Sequence, residues 1–273
     1  VGKSLHSFRA ARRAGIERTE LVAANSHVHN VSRLHDRAAA DCGLADSWLN
    51  QVQIRKTLRE YALADRIYVH SEYVRQSFLD AGIPAAKLVR TVLHPDPRFV
   101  PPQRRPDDDT LRIVYVGRVE MTKGIALLLD AFDRLPIQNA VLRIVGRWST
   151  RRVRRRLQSR VTQHPRISVQ PGDPLPVLQK ADVFVHPSYE DGFGYAPMEA
   201  LACGVPVVVT EDTGMKEYVR EGVNGFVVPT GSVDAIVAAL ENLVRSPLAQ
   251  SASLLPEITD PTFSTRALAS DQS

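Results

Sequence analysis

Short apolar runs alternate with amphipathic stretches along residues 111–245. The runs LRIVYV, AVLRIVG, ISV, DVFVHP, VPVVV and GFVV are rich in β-branched residues, and helical periodicity recurs between them. Runs that are apolar throughout are typical of strands in a sheet whose two faces are both covered by helices. The pattern therefore predicts an α/β fold with a doubly wound parallel sheet, and ligands of such sheets lie at the carboxyl ends of the strands.

The amino-terminal part of the chain has a less regular pattern. Residues 1–93 combine helical patterns with the short strand patterns ELVAAN, RIYVHS and LVRTVL, which are few for an independent sheet. The Pro- and charge-rich stretch 94–109 interrupts any helix or central strand. We predict a partial amino-terminal domain at residues 1–97, a linker at 98–109, a second domain at 110–247 and a Pro/Ser-rich tail at 248–273.

Composition is that of an ordinary globular protein, with 44% hydrophobic and 24% charged residues. No apolar run approaches the ~20 residues that span a bilayer, and no signal-peptide pattern opens the chain. Cys42 and Cys203 are each expected inside a helix, without the paired spacing of a zinc site. We expect a cytoplasmic protein, soluble or peripheral at a membrane. The opening at Val1, within an Arg- and Ala-rich helical pattern, is typical of a fragment.

Arginines account for much of the formal net charge of +5. The run RRVRRRLQSR at residues 151–160 predicts a helix with a narrow apolar stripe at Val153, Leu157 and Val161. Its basic side is either a solvated helix face or a surface attracted to anionic lipid, at roughly 1 kcal/mol per basic residue. Nucleic acid is not an expected partner, because no aromatic residues alternate with the arginines.

A glycine-rich turn follows the apolar run DVFVHP. Gly192 and Gly194 flank Phe193, which lets backbone amides approach a ligand without side-chain obstruction. Pro197 is suited to the first turn of the helix that follows. The free amides and positive dipole end of that helix form an anion site, so a phosphate is the expected ligand there.

Carboxylates surround this predicted phosphate site. Glu199 is expected in the first turn of the helix, where it would bind ribose hydroxyls, and Glu190 and Asp191 precede the glycines. Carboxylates beside a phosphate indicate a ligand with many hydroxyl groups.

A second glycine-containing turn lies in VYVGRVEMTKGI, residues 114–125. The predicted strand ends at Gly117, and Arg118 and Lys123 follow before an amphipathic helix. An arginine supplies planar paired donors and a lysine a point charge, so the two together suit a diphosphate. The order of residues is not that of a Walker loop.

Together these motifs resemble the retaining glycosyltransferases of family 4, which have the two-domain GT-B fold. VGRVEMTKG, HPSYEDGFGYAPMEALACGVPVV and TGMKEYVREGVNGFVVP occur in the family's order and spacing, over roughly residues 111–245. The resemblance implies two Rossmann-like doubly wound domains. It also implies that the N-terminal, acceptor-side domain is incomplete here, because the family's glycine-rich loop after its first strand is not visible.

The resemblance also implies roles for individual residues. Arg118 and Lys123 would neutralise the diphosphate of the donor, Glu199 would hold its ribose, and the amides of residues 192–194 would face the sugar. The family's Glu-x7-Glu motif begins here with Asp191, which is one methylene shorter, so the neighbouring Glu190 is an alternative contact to the sugar.

Three further segments resemble the family with substitutions. In NSHVHN we favour His27 over His29 as the histidine near the reacting sugar. In TGMKE, Met215 replaces a frequent second glycine while Glu217 matches an acidic position, and LHPDPRF replaces an Asn-Gly-Val-Asp turn. The predicted catalytic residues are His27, Arg118, Lys123 and Asp191. The predicted donor-binding residues are Gly117, Arg118, Lys123, Glu190, Asp191, Gly192, Phe193, Gly194 and Glu199.

The function implied is transfer of a hexose, with retained configuration, from a nucleotide-diphosphate sugar to an acceptor hydroxyl in glycan biosynthesis. No cofactor or metal is required in this prediction, and the acceptor is a glycan, a lipid or a small molecule. The alternatives are a non-catalytic or truncated nucleotide-sugar binding module, a GT-B nucleotide-sugar epimerase, and an arginine-driven nucleic-acid binder.

Overall fold

A computed structural model describes residues 3–43 and 49–248 of the chain, and these residues form two compact units. The first unit comprises the described residues up to Leu93 together with Glu190–Phe193. The second comprises His94–Tyr189 and the described residues from Gly194 onward. The predicted tail lies outside the described residues, except for Leu248.

The first unit is built on a three-stranded parallel sheet of order β1-β2-β3. Its elements are α1 (Leu5–Arg13), β1 (Glu20–Ala23), α2 (Val28–Asp41), α3 (Gln51–Leu63), β2 (Arg66–Val69), α4 (Glu72–Asp80), a 3-10 helix (Ala85–Lys87) and β3 (Leu88–Arg90). Ile67 and Val69 of β2 pack with Phe78 of α4 and with residues of α1 and α3 in one apolar core. The short strand patterns of the sequence therefore form one sheet with its own core.

The second unit contains a six-stranded parallel sheet of order β6-β5-β4-β7-β8-β9. Its strands are β4 (Leu111–Val116), β5 (Ala140–Val145), β6 (Ile167–Gln170), β7 (Val183–His186), β8 (Val207–Thr210) and β9 (Gly225–Val228). Its helices are α5 (Ile125–Arg134), α6 (Arg151–Gln163), α7 (Leu175–Leu178), α8 (Tyr195–Ala202), a 3-10 helix (Gly214–Tyr218) and α9 (Val233–Arg245). Each apolar run of the sequence is a strand, which confirms the predicted parallel α/β sheet.

Helices of the second unit pack through apolar stripes at helical spacing. Ile125, Leu128 and Phe132 of α5 are buried, and α5 packs on α9, in which Ile236 and Leu240 are buried. None of the helices in the described ranges is both long and apolar enough to serve as a transmembrane segment.

Arg105, within the predicted linker, fastens its segment to the second unit. Its guanidinium donates to the carbonyls of Gln179 at 3.5 Å, Ala181 at 2.9 Å, Cys203 at 2.6 Å and Gly204 at 3.0 Å. These carbonyls follow the ends of α7 and α8, where backbone oxygens lack helical partners. One side chain therefore caps the carboxyl ends of both helices.

The placement of the cysteines inside helices was wrong. Cys42 and Cys203 each follow the last helical residue, after Asp41 of α2 and Ala202 of α8. Glycines come next at positions 43 and 204, with φ angles of 61° and 71°. The glycine ends the helix, and the cysteine becomes its buried cap residue.

Candidate functional site

The strand order of the second unit reverses between β4 and β7, which are neighbours in the sheet. β4 is flanked by β5, the next strand along the chain, whereas β7 leads to β8 and β9 on the other side. Crevices outside the carboxyl ends of strands at such a reversal are the usual ligand sites of open parallel sheets. The two loops of interest follow β4 and β7.

The first half of the loop after β4 runs beside the segment that follows β5. Gly117 N donates to Val145 O at 3.0 Å, and Val119 N donates to Arg147 O at 2.9 Å. A Cβ atom on Gly146 would lie only 1.8 Å from Gly117 O. The close approach of these two backbones therefore requires glycine at position 146.

The second half of the same loop is held against the end of β7. Gly124, with φ 70°, precedes α5, and a Cβ atom there would lie 1.8 Å from Pro187 O. Thr122 O accepts a hydrogen bond from Tyr189 N at 2.9 Å and another from Ser188 Oγ at 3.3 Å. Thr122 fixes the spacing between the two loops, and no motif of the sequence distinguished it.

Arg118 and Lys123 are both on this loop. The Arg118 side chain is 65% exposed, and its Nη2 lies 3.3 Å from Oε2 of Glu120, whose side chain is 13% exposed. The backbone of Arg118 is fixed, because its carbonyl accepts a hydrogen bond from Tyr115 Oη at 3.0 Å. Lys123 is partly buried. Glu120 was not among the predicted site residues, although its position two residues after Arg118 was a visible signal.

The turn after β7 ends where α8 begins. Gly194, with φ 91°, immediately precedes Tyr195, the first residue of α8, which is 49% exposed. A Cβ atom on Gly194 would lie 3.0 Å from Cγ of the buried Met215. The first turn of α8 follows directly from the glycine turn.

Glu199 does not lie in the first turn of α8, and this detail of the prediction was wrong. Because α8 begins at Tyr195 and not at Pro197, Glu199 is in the second turn. Its side chain is partly buried, and burial is the main cause that raises the pKa of its carboxyl. Arg98 lowers this pKa, whereas Asp96 and Asp173 raise it.

Arg98 brings the predicted linker close to these acidic groups. Its Nη1 lies 3.0 Å from Asp173 Oδ1, its Nε lies 3.7 Å from Asp96 Oδ2, and its guanidinium lies 4.7 Å from the ring centre of Phe99. No sequence motif distinguished this arginine from the others of the chain.

The segment Glu190–Phe193 belongs to the first unit. Glu190 is only 2% exposed, and its carboxylate accepts hydrogen bonds from Asn25 Nδ2 at 2.7 Å and Ser26 N at 2.9 Å. Ser71 Oγ donates to Gly192 O at 2.6 Å. Glu190 thus holds the turn before α2, while Asp191 is partly exposed and is the more accessible carboxylate of the two.

His27 caps the amino terminus of α2 within an aromatic cluster. Its ring is 3% exposed and lies 5.1 Å from the ring of Tyr61 and 5.3 Å from that of Phe78. Its Nδ1 accepts a long hydrogen bond from His29 N at 3.4 Å. Burial, and secondarily the nearby His29, lowers the pKa of His27 from 6.5 to about 4. The His27 imidazole is therefore neutral at pH 7. The two histidines also differ in burial, since the His27 side chain is buried and the His29 side chain is exposed.

Two units with parallel sheets, and two loops that follow β4 and β7 at the reversal of strand order, define the class of fold. We call these two loops the switch-point loops. The structure matches the crystal structure of Anabaena Alr3699/HepE in complex with UDP with a TM-score of 0.70 and 18% identity, covering 93% of this chain and 70% of that one. It matches sucrose-phosphate synthase (tll1590) from Thermosynechococcus elongatus with a TM-score of 0.67 and 21% identity, covering 92% and 70%. The chain therefore has the GT-B fold of glycosyltransferases.

The chain belongs to the family Glycosyl transferases group 1, which matches residues 98–254. It is 32% identical over 143 residues to the capsular polysaccharide biosynthesis glycosyltransferase CapM of Staphylococcus aureus, covering 50% of this chain and 38% of CapM. It is 29% identical over 260 residues to the GDP-mannose-dependent alpha-(1-6)-phosphatidylinositol monomannoside mannosyltransferase of Mycolicibacterium smegmatis, covering 87% and 63%. The chain thus spans less than two thirds of the length of these relatives.

Proposed function

We propose that this glycosyltransferase moves a hexose from a nucleotide-diphosphate sugar to an acceptor hydroxyl with retained configuration and without a metal. The observation that carries the proposal is the fixed junction of the two switch-point loops. Thr122 O is bonded to Ser188 and Tyr189, so the loop with Arg118 and Lys123 is held at the turn that leads into α8.

In this proposal the donor diphosphate is bound by the two cations and the amides of α8. In the pair of Arg118 with Glu120 the guanidinium is 65% exposed and the carboxylate 13% exposed, so solvent reaches the arginine and weakens its attraction to Glu120. A charge-assisted hydrogen bond to phosphate contributes roughly 1.5–3 kcal/mol, so a diphosphate can displace Glu120 from the guanidinium. The amino terminus of α8 adds backbone N–H donors of its first turn, where Pro197 has none, and the positive end of the helix dipole.

The remaining predicted residues would recognise hydroxyl groups. Glu199 is proposed to bind the ribose, and Asp191 with the amides of residues 192–194 the sugar. The Nδ1 of His27 accepts a hydrogen bond, so the proton of the neutral ring resides on Nε2, which is the atom proposed to donate to a sugar hydroxyl. The acidic, partly buried surroundings of Glu199 suit a polyhydroxyl ligand better than a second phosphate.

Catalysis in this proposal comes from electrostatics. The glycosidic bond to the diphosphate breaks, the acceptor oxygen bonds to the same face of the sugar, and a departing phosphate oxygen takes the acceptor proton. Arg118, Lys123 and the α8 amides would stabilise the negative charge on the leaving group. One such donor can contribute about 3–4 kcal/mol in the transition state.

Similar proteins support a nucleotide-sugar donor. Crystal structures of HepE hold UDP, UDP with glucose, and UDP-glucose. The mycobacterial relative is named as GDP-mannose-dependent. Because these donors differ in base and sugar, we propose the donor class and leave the base and the sugar to experiment.

The test is calorimetric titration of the chain with UDP, GDP, ADP and their glucose or mannose conjugates, followed by an assay for released nucleotide. We expect binding of at least one conjugate, and Lys123→Ala should weaken it at least tenfold. Lys180→Ala is the matched control, because this exposed lysine precedes β7 at the opposite end of the strand. An equal effect of both variants would contradict the assigned site.

The same experiment separates the proposed transferase from its rivals. Binding with nucleotide release supports transfer, and an altered sugar without release indicates an epimerase. Binding without any turnover indicates a nucleotide-sugar binding module.

A further inference from the structure

One helix of the second unit carries an uninterrupted basic surface. In α6, Val153, Leu157 and Val161 are buried. Arg151, Arg152, Arg155 and Arg156 are all exposed, and their spacing places them on the opposite side of the helix. We call these four residues the α6 arginine face.

The other arginines of α6 have local partners. Arg160 lies 2.8 Å from Asp130 Oδ1 and 2.6 Å from Asp133 Oδ2 of α5, and Arg154 Nε donates to Gln158 Oε1 at 3.0 Å. Within the described part of the chain, the α6 arginine face takes part in no such ion pair or hydrogen bond. Its positive charges are therefore directed to solvent.

This arrangement opposes the stability of the helix itself. The first turn of α6 contains no acid and begins with Arg151 and Arg152, next to the positive end of the helix dipole. Arg151 with Arg155, and Arg152 with Arg156, are like-charge pairs four residues apart, which repel each other. A local arrangement that weakens its own helix is expected where a ligand or surface compensates for it.

We propose that the α6 arginine face binds the surface of an anionic lipid membrane. Two turns of one helix present guanidinium groups side by side, which suits a sheet of lipid phosphates. The preceding segment adds the exposed Arg147 and the partly exposed Trp148, and tryptophan with arginine is typical of residues at a membrane interface. Trp148 is the one aromatic residue in the sequence from 147 to 163, which is too few for the stacking of successive nucleic-acid bases.

The test is co-sedimentation of the 273-residue chain with vesicles of phosphatidylcholine alone or mixed with phosphatidylglycerol. The chain should bind only the anionic vesicles, and less at high salt. The double variant Arg152→Gln with Arg156→Gln should lower the partition coefficient by about 30-fold, the combined contribution of two basic residues at an anionic surface.

The matched control is the double variant Arg9→Gln with Arg13→Gln on α1. These two arginines are also exposed and four residues apart, and their removal lowers the net charge of +5 by the same amount. This control should lower vesicle binding less than about threefold. The α6 variant should keep or raise its melting temperature, because it removes a repulsive pair.

The possible outcomes separate the proposal from its rivals without any nucleotide sugar present. Equal losses in the two double variants would mean that net charge, not the α6 arginine face, causes binding, and would overturn the proposal. Failure of the unaltered chain to bind anionic vesicles would also overturn it. Tighter, α6-dependent binding to a short single-stranded RNA would assign the face to polynucleotides instead.

Discussion

Burial shifts the pKa values of His27 and Glu199 in opposite directions, yet it favours the neutral form of both. It lowers the pKa of His27 to about 4 and raises the pKa of Glu199. Desolvation penalises the charged state of any group, so an imidazole loses its proton more readily and a carboxyl retains it more readily. These two residues therefore make opposite contributions to stability as a function of pH.

For His27 the expected result is acid sensitivity of the first unit. The contribution of neutral His27 to the unfolding free energy is fully present above its ordinary pKa of 6.5. It is lost as the pH falls toward about 4, because the His27 imidazole takes up a proton more readily in the unfolded chain than in the folded one. The loss is up to about 3 kcal/mol. Urea unfolding at pH 7 and pH 4.5, followed by tyrosine fluorescence, should show a smaller difference in His27→Phe. His6→Phe alters an exposed histidine and should keep the full difference; the same flattening there would contradict the prediction.

For Glu199 the expected result is a gain of stability with a loss of binding. The folded pKa is raised, so ionisation destabilises the fold as the pH rises through the ordinary range near ~4.3. Glu199→Gln should raise Tm at pH 7 and leave it unchanged at pH 3, where the carboxyl is protonated in both the folded and the unfolded chain. It should also weaken nucleotide-diphosphate-sugar binding. A lower Tm at pH 7 would show that the carboxylate supports the fold.

Among elements, the loop after β4 depends on the close approach of Gly124 to Pro187. Gly124→Ala adds a Cβ atom 1.8 Å from a backbone oxygen, so the loop must move away from β7. We expect a loss of more than about 3 kcal/mol in unfolding free energy, together with weaker nucleotide binding.

Gly222 is a matched control for this substitution. Its φ of 69° equals that of Gly124 within a degree, but a Cβ atom there would meet nothing within 4 Å. Gly222→Ala should therefore cost only the conformational penalty of about 1 kcal/mol. Similar losses in both variants, measured by thermal unfolding, would show that φ alone and not the contact with Pro187 requires glycine at position 124.

Arg105 is expected to stabilise the second unit, because its guanidinium caps the carboxyl ends of both α7 and α8. Arg105→Ala should lower the unfolding free energy of the second unit by about 2 kcal/mol, and Arg105→Lys should restore only part, since an ammonium lacks the planar fork of donors. The exposed neighbour Arg104 provides the control, and Arg104→Ala should change stability by less than about 0.5 kcal/mol. If Arg105→Lys kept the full unfolding free energy, the positive charge alone, and not the planar fork of donors, would explain the role of Arg105.

Some elements of this fold are encoded by the local sequence, and others depend on residues far apart in the chain. The strands of the second unit were predictable because each apolar run contains the residues that the sheet buries. The partners of Glu190 were not, since Asn25 lies 165 positions away and no periodicity links them. Arg98 and Arg105 were missed for the same reason: a Pro-rich segment has no pattern that indicates where its arginines bind. The second-turn position of Glu199 depended on whether α8 begins at the glycine or at Pro197, which propensity alone does not decide.

At the scale of the whole molecule, each unit has its own sheet and its own buried core. The pH-sensitive His27 belongs to the first unit, whereas the proposed diphosphate-binding residues Arg118 and Lys123 belong to the second. Acid and nucleotide are therefore expected to act on different parts of the chain.

Scanning calorimetry should resolve the unfolding of the two units as two separate transitions. A nucleotide diphosphate at about 100 times its Kd should stabilise the second unit by ~2.7 kcal/mol and raise its transition by roughly 5–10 °C. Lowering the pH from 7 to 5 should lower the transition of the first unit and leave the nucleotide shift of the other in place. Lys123→Ala, with its Kd raised at least tenfold, should cut this stabilisation to about 1.4 kcal/mol or less without moving the acid-sensitive transition. A single transition that responds to both treatments would mean that the two cores unfold cooperatively, and the stabilities of His27 and Gly124 variants would then have to be interpreted for the chain as one unit.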